Sequence, residues 1–445
     1  MKLKKLLGLL LALTMVMSLL AGCGSDGEKE PDETKVTEGT GETKDTETED
    51  KETEGDVEGA EISLSVWNEP HKDDALNMYL AAEKATGVKI NVNVIPETEY
   101  SSKLNQMVAT GDDSIDIYIV WENDISNFAQ AKGIDPLDDY LSGSSIDSND
   151  FIDAVANLTD GLGATYGLPW CAATEILYYN QDMFDEAGLE YPNNDWAYND
   201  FLVAAEKLTK LNADGTTDIY GFDLPNLQTW WAGIGIKGDQ IYDPATGKLV
   251  IGDGAVSFIK DCADMAEKGV MPIPSSDTSD NFGSGKAAMS WQGSWMIGSY
   301  ADGLDFNWDI ATIPTAAKKY NTLHTGFYTI NSNSKNKEAA WKVIEFLMGE
   351  EGQRINSQAS GNPSALVTIA NKGEWKVEAA KTVENWDAMI DSLESGIFGY
   401  TCIPAGVTGN AVSLFNTAVS GQITPEDAVK QAMEYAADTI GYTLD

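Results

Sequence analysis

Ile62-Ser63-Leu64-Ser65-Val66-Trp67, then Val88-Lys89-Ile90-Asn91-Val92-Asn93-Val94, then Ile115-Asp116-Ile117-Tyr118-Ile119-Val120-Trp121: these three segments decide the fold. The first two alternate apolar and polar residues, as half-buried strands do. The third is almost continuously apolar, as a parallel strand covered on both faces should be. Between the first pair, Asp73 and Asp74 open a helix that carries Leu76, Tyr79 and Leu80 and closes at Gly87. After Pro96 a second helix carries Tyr100, Leu104, Met107 and Val108 and ends near Gly111. The order β-α-β-α-β predicts an open parallel sheet with right-handed crossovers.

Such sheets bind ligands beyond the carboxyl ends of their strands. Here the first strand ends in Trp67-Asn68-Glu69 and the third in Trp121-Glu122-Asn123-Asp124. Each end sets a flat apolar ring beside amide and carboxylate acceptors. A pyranose asks for that mixture, because its C–H face packs on an aromatic ring while its hydroxyls need fixed hydrogen-bond partners. The competing reading makes these tryptophans packing residues that cap the sheet, since tryptophan is often largely buried.

The N-terminus reads as an export signal. Lys2, Lys4 and Lys5 precede an apolar run from Leu6 to Leu20 that is too short to span a membrane, and Leu20-Ala21-Gly22-Cys23 follows. That tetrapeptide resembles the lipobox of bacterial lipoproteins, which implies a signal peptide over 1–22 and acylation of Cys23. Two or more acyl chains suit stable anchoring to the outer face of the cell membrane. Residues 23–59 are nearly all Glu, Asp, Thr, Lys and Gly, with too little apolar surface to repay ordering, so an acidic disordered tether is expected.

The remainder, Ala60–Asp445, exceeds what one core usually organises, so two lobes are expected. Removing the 15 acids and 7 bases of residues 1–59 from the totals of 71 and 29 leaves 56 against 22, a net charge of −34. Such a surface repels phosphate backbones and argues against a nucleic-acid partner. Cys171, Cys262 and Cys402 match no zinc spacing and leave two readings open: one disulfide with one thiol, or three buried thiols. With only His71 and His324, a multi-histidine metal site is excluded. No cofactor is expected.

Further along, motifs accumulate in a telling order. Asp116-Ile-Tyr-Ile-Val-Trp121 is followed by Gly133-Ile-Asp-Pro-Leu-Asp-Asp-Tyr140, then Tyr166-Gly-Leu-Pro169, Leu177-Tyr-Tyr-Asn180 and Asp182-Met-Phe-Asp-Glu-Ala-Gly188. Phe282-Gly-Ser-Gly-Lys-Ala-Ala-Met289 leads to Gly293-Ser-Trp295, and Ser334-Lys-Asn-Lys-Glu-Ala-Ala-Trp341 leads to Glu350-Glu-Gly-Gln353. In this order they resemble the extracellular solute-binding proteins (family 1) of sugar-type ABC importers. The resemblance implies a two-lobed, periplasmic-binding-protein-like type II α/β fold. Each lobe would be a mainly parallel sheet flanked by helices, with the ligand cleft between them. Lobe 1 would hold 60–169 and 320–362, and lobe 2 would hold 170–319 and 363–445. The implied partners are an oligosaccharide or other sugar and the importer's permease subunits, with the protein acting as a monomer and not as an enzyme.

Against the maltodextrin-binding branch, Trp121 and Asp124 match a stacking tryptophan and a hydroxyl-binding aspartate, and Trp295 matches a second stacking ring. That branch's arginine beside the aspartate is Ile125 here, and its C-terminal stacking tryptophan falls near Thr408 and Gly409, so the sugar's length and linkage are left open. Trp230 and Trp231 are the candidates to compensate. The expected ligand-binding set is Trp67, Trp121, Asn123, Asp124, Glu175, Trp230, Trp231, Trp295 and Tyr328, with Trp295 and Asp124 facing each other from different lobes.

Rival readings are a secreted glycoside-processing enzyme, which also needs tryptophans and carboxylates in a cleft, and a binder of peptides or polyamines. Two motif-like segments fail on inspection. Asp280 and Ala287 stand where a phosphate-binding loop needs Gly and Ser/Thr. Asn212-x-Asp214-Gly-x-x-Asp218 lacks the later glutamate of a calcium loop and reads as a polar hairpin.

Overall fold

The alternating opening segment becomes β1 (Glu61–Trp67). In this computed structural model residues 57, 59–67, 72–152, 162–225, 228–243, 246–274, 279–378, 380–397 and 403–444 are described. All belong to the unit Gly55–Asp445. Cys23, the tether apart from its last few residues, Asn68, Glu69, His71 and Cys402 lie outside the described residues.

After β1 come α1 (Lys72–Thr86), β2 (Lys89–Ile95), α2 (Glu97–Thr110), β3 (Ile117–Trp121) and α3 (Ile125–Gln130). β1 pairs in parallel with β2 from Glu61↔Lys89 to Trp67↔Ile95, and with β3 at Leu64↔Ile117. The continuous apolar run of β3 is explained by cover on both faces. Ile117 and Ile119 join one core with Leu64, while Tyr118 and Val120 join another with Tyr100, Leu104 and Phe128. α2 stops at Gly111, whose φ of 66° is the left-handed cap that glycine takes without a Cβ clash.

The chain continues through β4 (Leu168–Pro169), β5 (Ala173–Asn180), α4 (Thr229–Ile236), α5 (Asp253–Glu267), β6 (Met289–Gly293), α6 (Met296–Gly303) and β7 (Trp308–Ala311). Then follow β8 (Asn321–His324), β9 (Gly326–Ile330), α7 (Lys337–Met348), α8 (Glu350–Ser360), α9 (Val367–Lys372), β10 (Gly396–Ile397), α10 (Ala405–Val419) and α11 (Pro425–Ile440). The first sheet has the order β2-β1-β3-β9-β4. The second runs β6-β5-β8-β10, with β7 also on β5. α7 and α8 pack on α1, and α10 and α11 pack on α5. α11 starts on a cap, with the Thr424 side chain accepting from the Asp427 amide and Pro425 in the first turn.

Two features depart from expectation. Both sheets are mixed rather than mainly parallel: in the first β9 runs antiparallel to both β3 and β4, and in the second β6, β7 and β8 all run antiparallel to β5. For β8 the reason is geometric: β5 carries the chain out of lobe 1, so a strand beside it that carries the chain back must run the other way. The crossings also fall later than residues 320 and 363. β8 is still in the second sheet, and Gly326 is the first residue of the next strand to pair in the first sheet, opposite Trp121. Ala365, Leu366 and Ile369 pack in the lobe 1 core, whereas Trp375 packs with Ile176 and Tyr178 of β5.

Candidate functional site

The ends of β1 and β3, and the first residue beyond β4, gather three partly exposed tryptophans. Trp67 meets Trp121 at 5.7 Å and Trp170 at 5.6 Å between ring centroids, both edge to face, and Tyr100 stacks on Trp121 at 5.6 Å. Edge-to-face packing fixes each ring by its neighbours, and what stays open is apolar surface held in place. Tyr100 is itself pinned, because its hydroxyl donates to the Ile119 carbonyl at 2.9 Å. Gly326 permits the approach of Trp170, since a Cβ there would lie 2.8 Å from the indole Nε1.

Polar groups follow directly after Trp121. The Asn123 Oδ1 is buried without a hydrogen-bond partner, an acceptor left waiting for a donor. Asp124 is 6% exposed and accepts from the Ser101 hydroxyl at 2.6 Å. Burial raises its pKa; the Ser101 bond opposes that rise and the charge of Glu122 adds to it. Glu122 Oε1 lies 3.1 Å from His324 Nδ1, and Glu175 Oε1 lies 3.1 Å from His324 Nε2.

From the second lobe comes Trp295, partly exposed, at the start of α6. Its ring meets the His324 ring edge to face at 5.4 Å and 88°. Gly293 is what lets the indole lie there, because a Cβ would come within 2.1 Å of it. Ser294 anchors the turn through its amide to the Thr174 carbonyl at 2.8 Å and its hydroxyl to Asn362 Oδ1 at 2.5 Å. The small pair before the tryptophan therefore leaves room for the ring. Trp67, Trp121, Asn123, Asp124 and Trp295 are thus linked through Glu122 and His324. This acceptor-rich group can pack apolar faces and take hydrogens from hydroxyls.

Four other expected ligand residues sit elsewhere or face inward. Trp230 and Trp231 on α4 are 2% and 0% exposed, in the lobe 2 core. Trp230 packs on Phe258 at 5.5 Å and on Phe415 at 5.6 Å. Every residue of α4 is buried, so the helix has no open face from which a ring could reach a ligand. Tyr328 is 1% exposed inside the lobe 1 core, paired across β9 with Ile119 and Leu168. Glu175 is 0% exposed and turned to His324. His324 is the residue that sequence reasoning missed. Its one local signal was a titratable side chain on the strand returning to lobe 1. Among the described residues, no group of three or more His, Cys, Asp or Glu side chains could hold a metal ion. No described helix is long and apolar enough to cross a membrane.

Comparison with known proteins agrees with this architecture. A maltooligosaccharide ABC transporter solute-binding lipoprotein of Streptococcus pneumoniae is 23% identical over 64% of this chain and 67% of its own length. An erythritol/L-threitol-binding protein of Mycolicibacterium smegmatis is 24% identical over 66% of this chain and 67% of its own. In structure, an ABC substrate-binding protein of Listeria monocytogenes in complex with cycloalternan matches with a TM-score of 0.74 at 22% identity, covering 86% of this chain and all of the other. At that identity the likeness speaks for the fold. The family model described as bacterial extracellular solute-binding protein matches residues 68–354, well over half the sequence. With two α/β lobes joined by crossing strands and partly exposed tryptophans from both lobes around the crossing, the chain belongs to the bacterial extracellular solute-binding proteins.

Proposed function

We propose that this protein captures an oligosaccharide or related sugar between its lobes and delivers it to the permease of an ABC importer. The supporting observation is that partly exposed Trp67 and Trp121 stand at the strand ends followed by the unpartnered Asn123 Oδ1 and the buried Asp124 carboxylate, while Trp295 packs on His324, which contacts Glu122 of the same segment. Rings cover the C–H faces of a sugar, and acceptors of this kind want hydroxyl donors. The relatives' names speak for the same chemistry, ranging from a tetritol to maltooligosaccharides. A thermal-shift panel of maltotriose, mannotriose, arabinotriose, cycloalternan and erythritol, with spermidine and a tripeptide as controls, tests this. A sugar that raises the melting temperature with concentration is expected, because it binds the native state. A shift by spermidine or the tripeptide alone would overturn the sugar reading.

The same proposal includes a lipid anchor at Cys23 and a monomeric state. The pneumococcal relative is itself named a lipoprotein. Cys23→Ser is expected to move the protein from the membrane to the soluble fraction, and unchanged detergent partitioning would refute the anchor. Light scattering on the released protein should return the mass of one chain; a dimer mass would remove the monomer.

A further inference from the structure

The His324 ring lies where the chain passes from one sheet to the other. His324 ends β8 opposite Ala173 of β5, and Gly326, one residue beyond Thr325, pairs with Trp121 of β3. Thr325 ties the passage down by donating to the Cys171 carbonyl at 2.8 Å. Nδ1 faces Glu122, which follows β3 of lobe 1, at 3.1 Å. Nε2 faces Glu175, on β5 of lobe 2, at 3.1 Å, and shares that side with the Thr322 hydroxyl at 3.2 Å. Neither Glu175 oxygen is in a well-aligned hydrogen bond, so this contact is one of charge rather than of hydrogen-bond geometry.

A neutral imidazole has one N–H and would turn a lone pair toward one of the two carboxylates. Glu175 has no exposure, and a buried carboxylate without a counter-charge is expensive. A doubly protonated ring answers both contacts. We propose that His324 is the positioning residue of the cleft: as an imidazolium between Glu122 and Glu175 it clasps the two lobes' strands at the crossing and holds Glu122 and the Trp295 ring in place. The role for Trp295 in sugar stacking rests on the function proposed above; the clasp itself does not.

Burial disfavours charge on the ring, but the close contacts and charges of Glu122 and Glu175 outweigh it and lift the pKa to about 9. A histidine whose folded pKa is raised contributes stability that is complete below its ordinary value of about 6.5 and is lost as pH rises through about 9. Other titratable groups nearby are Asp124, which feels Glu122, and the Tyr178 hydroxyl, which feels Glu175. The clasp is therefore closed at neutral pH and released in alkali.

His71 and His324 are the chain's two histidines, which makes the test direct. In the full chain labelled with 15N-histidine and 15N-tryptophan, with His71→Asn for assignment, both His324 ring nitrogens should carry protons at neutral pH and titrate near 9. The Trp295 indole signal, assigned through Trp295→Phe, should move with the same midpoint. Glu122→Gln or Glu175→Gln should lower that midpoint by about one pH unit or more. An unprotonated His324 nitrogen at neutral pH, a midpoint near 6.5, or a Trp295 signal indifferent to that midpoint overturns the proposal. The wild-type titration decides even where a variant fails to fold. It needs no sugar, so loss of the clasp and loss of the sugar reading are separate results.

Discussion

Trp295→Ala is expected to weaken oligosaccharide binding about thirtyfold or more while leaving the unliganded melting temperature nearly unchanged. Truncating a central aromatic anchor typically costs about 2 kcal/mol or more, which sets that factor. The small stability cost follows from where the ring lies. It is partly exposed, packs edge to face on His324, and rests over Gly293 outside the hydrophobic clusters of either lobe. Asp124→Asn should lose less, because the amide keeps one acceptor for the Ser101 hydroxyl and for a sugar hydroxyl. Calorimetric titration and melting curves on the same variants check this with whichever panel sugar binds. A Trp295→Ala protein that melts far lower yet binds with unchanged affinity once folded would place the ring in the core and remove it from the site.

Trp230→Ala should show the opposite pattern. Its ring fills lobe 2 between Phe258 and Phe415 and has no route to solvent along α4. Removing a buried tryptophan costs about 3–5 kcal/mol in lost burial and cavity formation. At about 2–4 °C per kcal/mol for a domain of this size, the melting temperature should fall by about 6–20 °C. Affinity measured well below the new midpoint should stay within a factor of about three of the wild type, less than the effect of a typical hot-spot contact. A large affinity loss with an unchanged melting curve would return Trp230 to the ligand site. Together the two substitutions separate a ring held for binding from a ring held for packing.

The sequence alone was enough for the local architecture. The alternation in Ile62–Trp67 and Lys89–Ile95, the unbroken apolar run of Ile117–Trp121 and the helix end at Gly111 are local patterns, and the backbone obeys them directly. The strand ends carrying Trp67, Trp121, Asn123 and Asp124 were legible too, because a parallel sheet fixes which edge can hold a ligand. Trp230 lies in a core helix, and its neighbourhood held the clue: Trp230 to Ile236 contains no polar residue, and a helix apolar all round is a buried one.

What only the tertiary structure decided is which side chains meet across long separations. His324 and Glu122 are 202 residues apart, and neither has a local pattern that announces the other. The same holds for the antiparallel second sheet, whose strands are matched to β5 by the path of the chain between lobes rather than by their own periodicity. Periodicity reports which face of an element is buried. It does not report what that face is buried against, because that depends on how distant elements are brought together, and the crossing strands settle that for Glu122, Glu175, Trp295 and His324 at once.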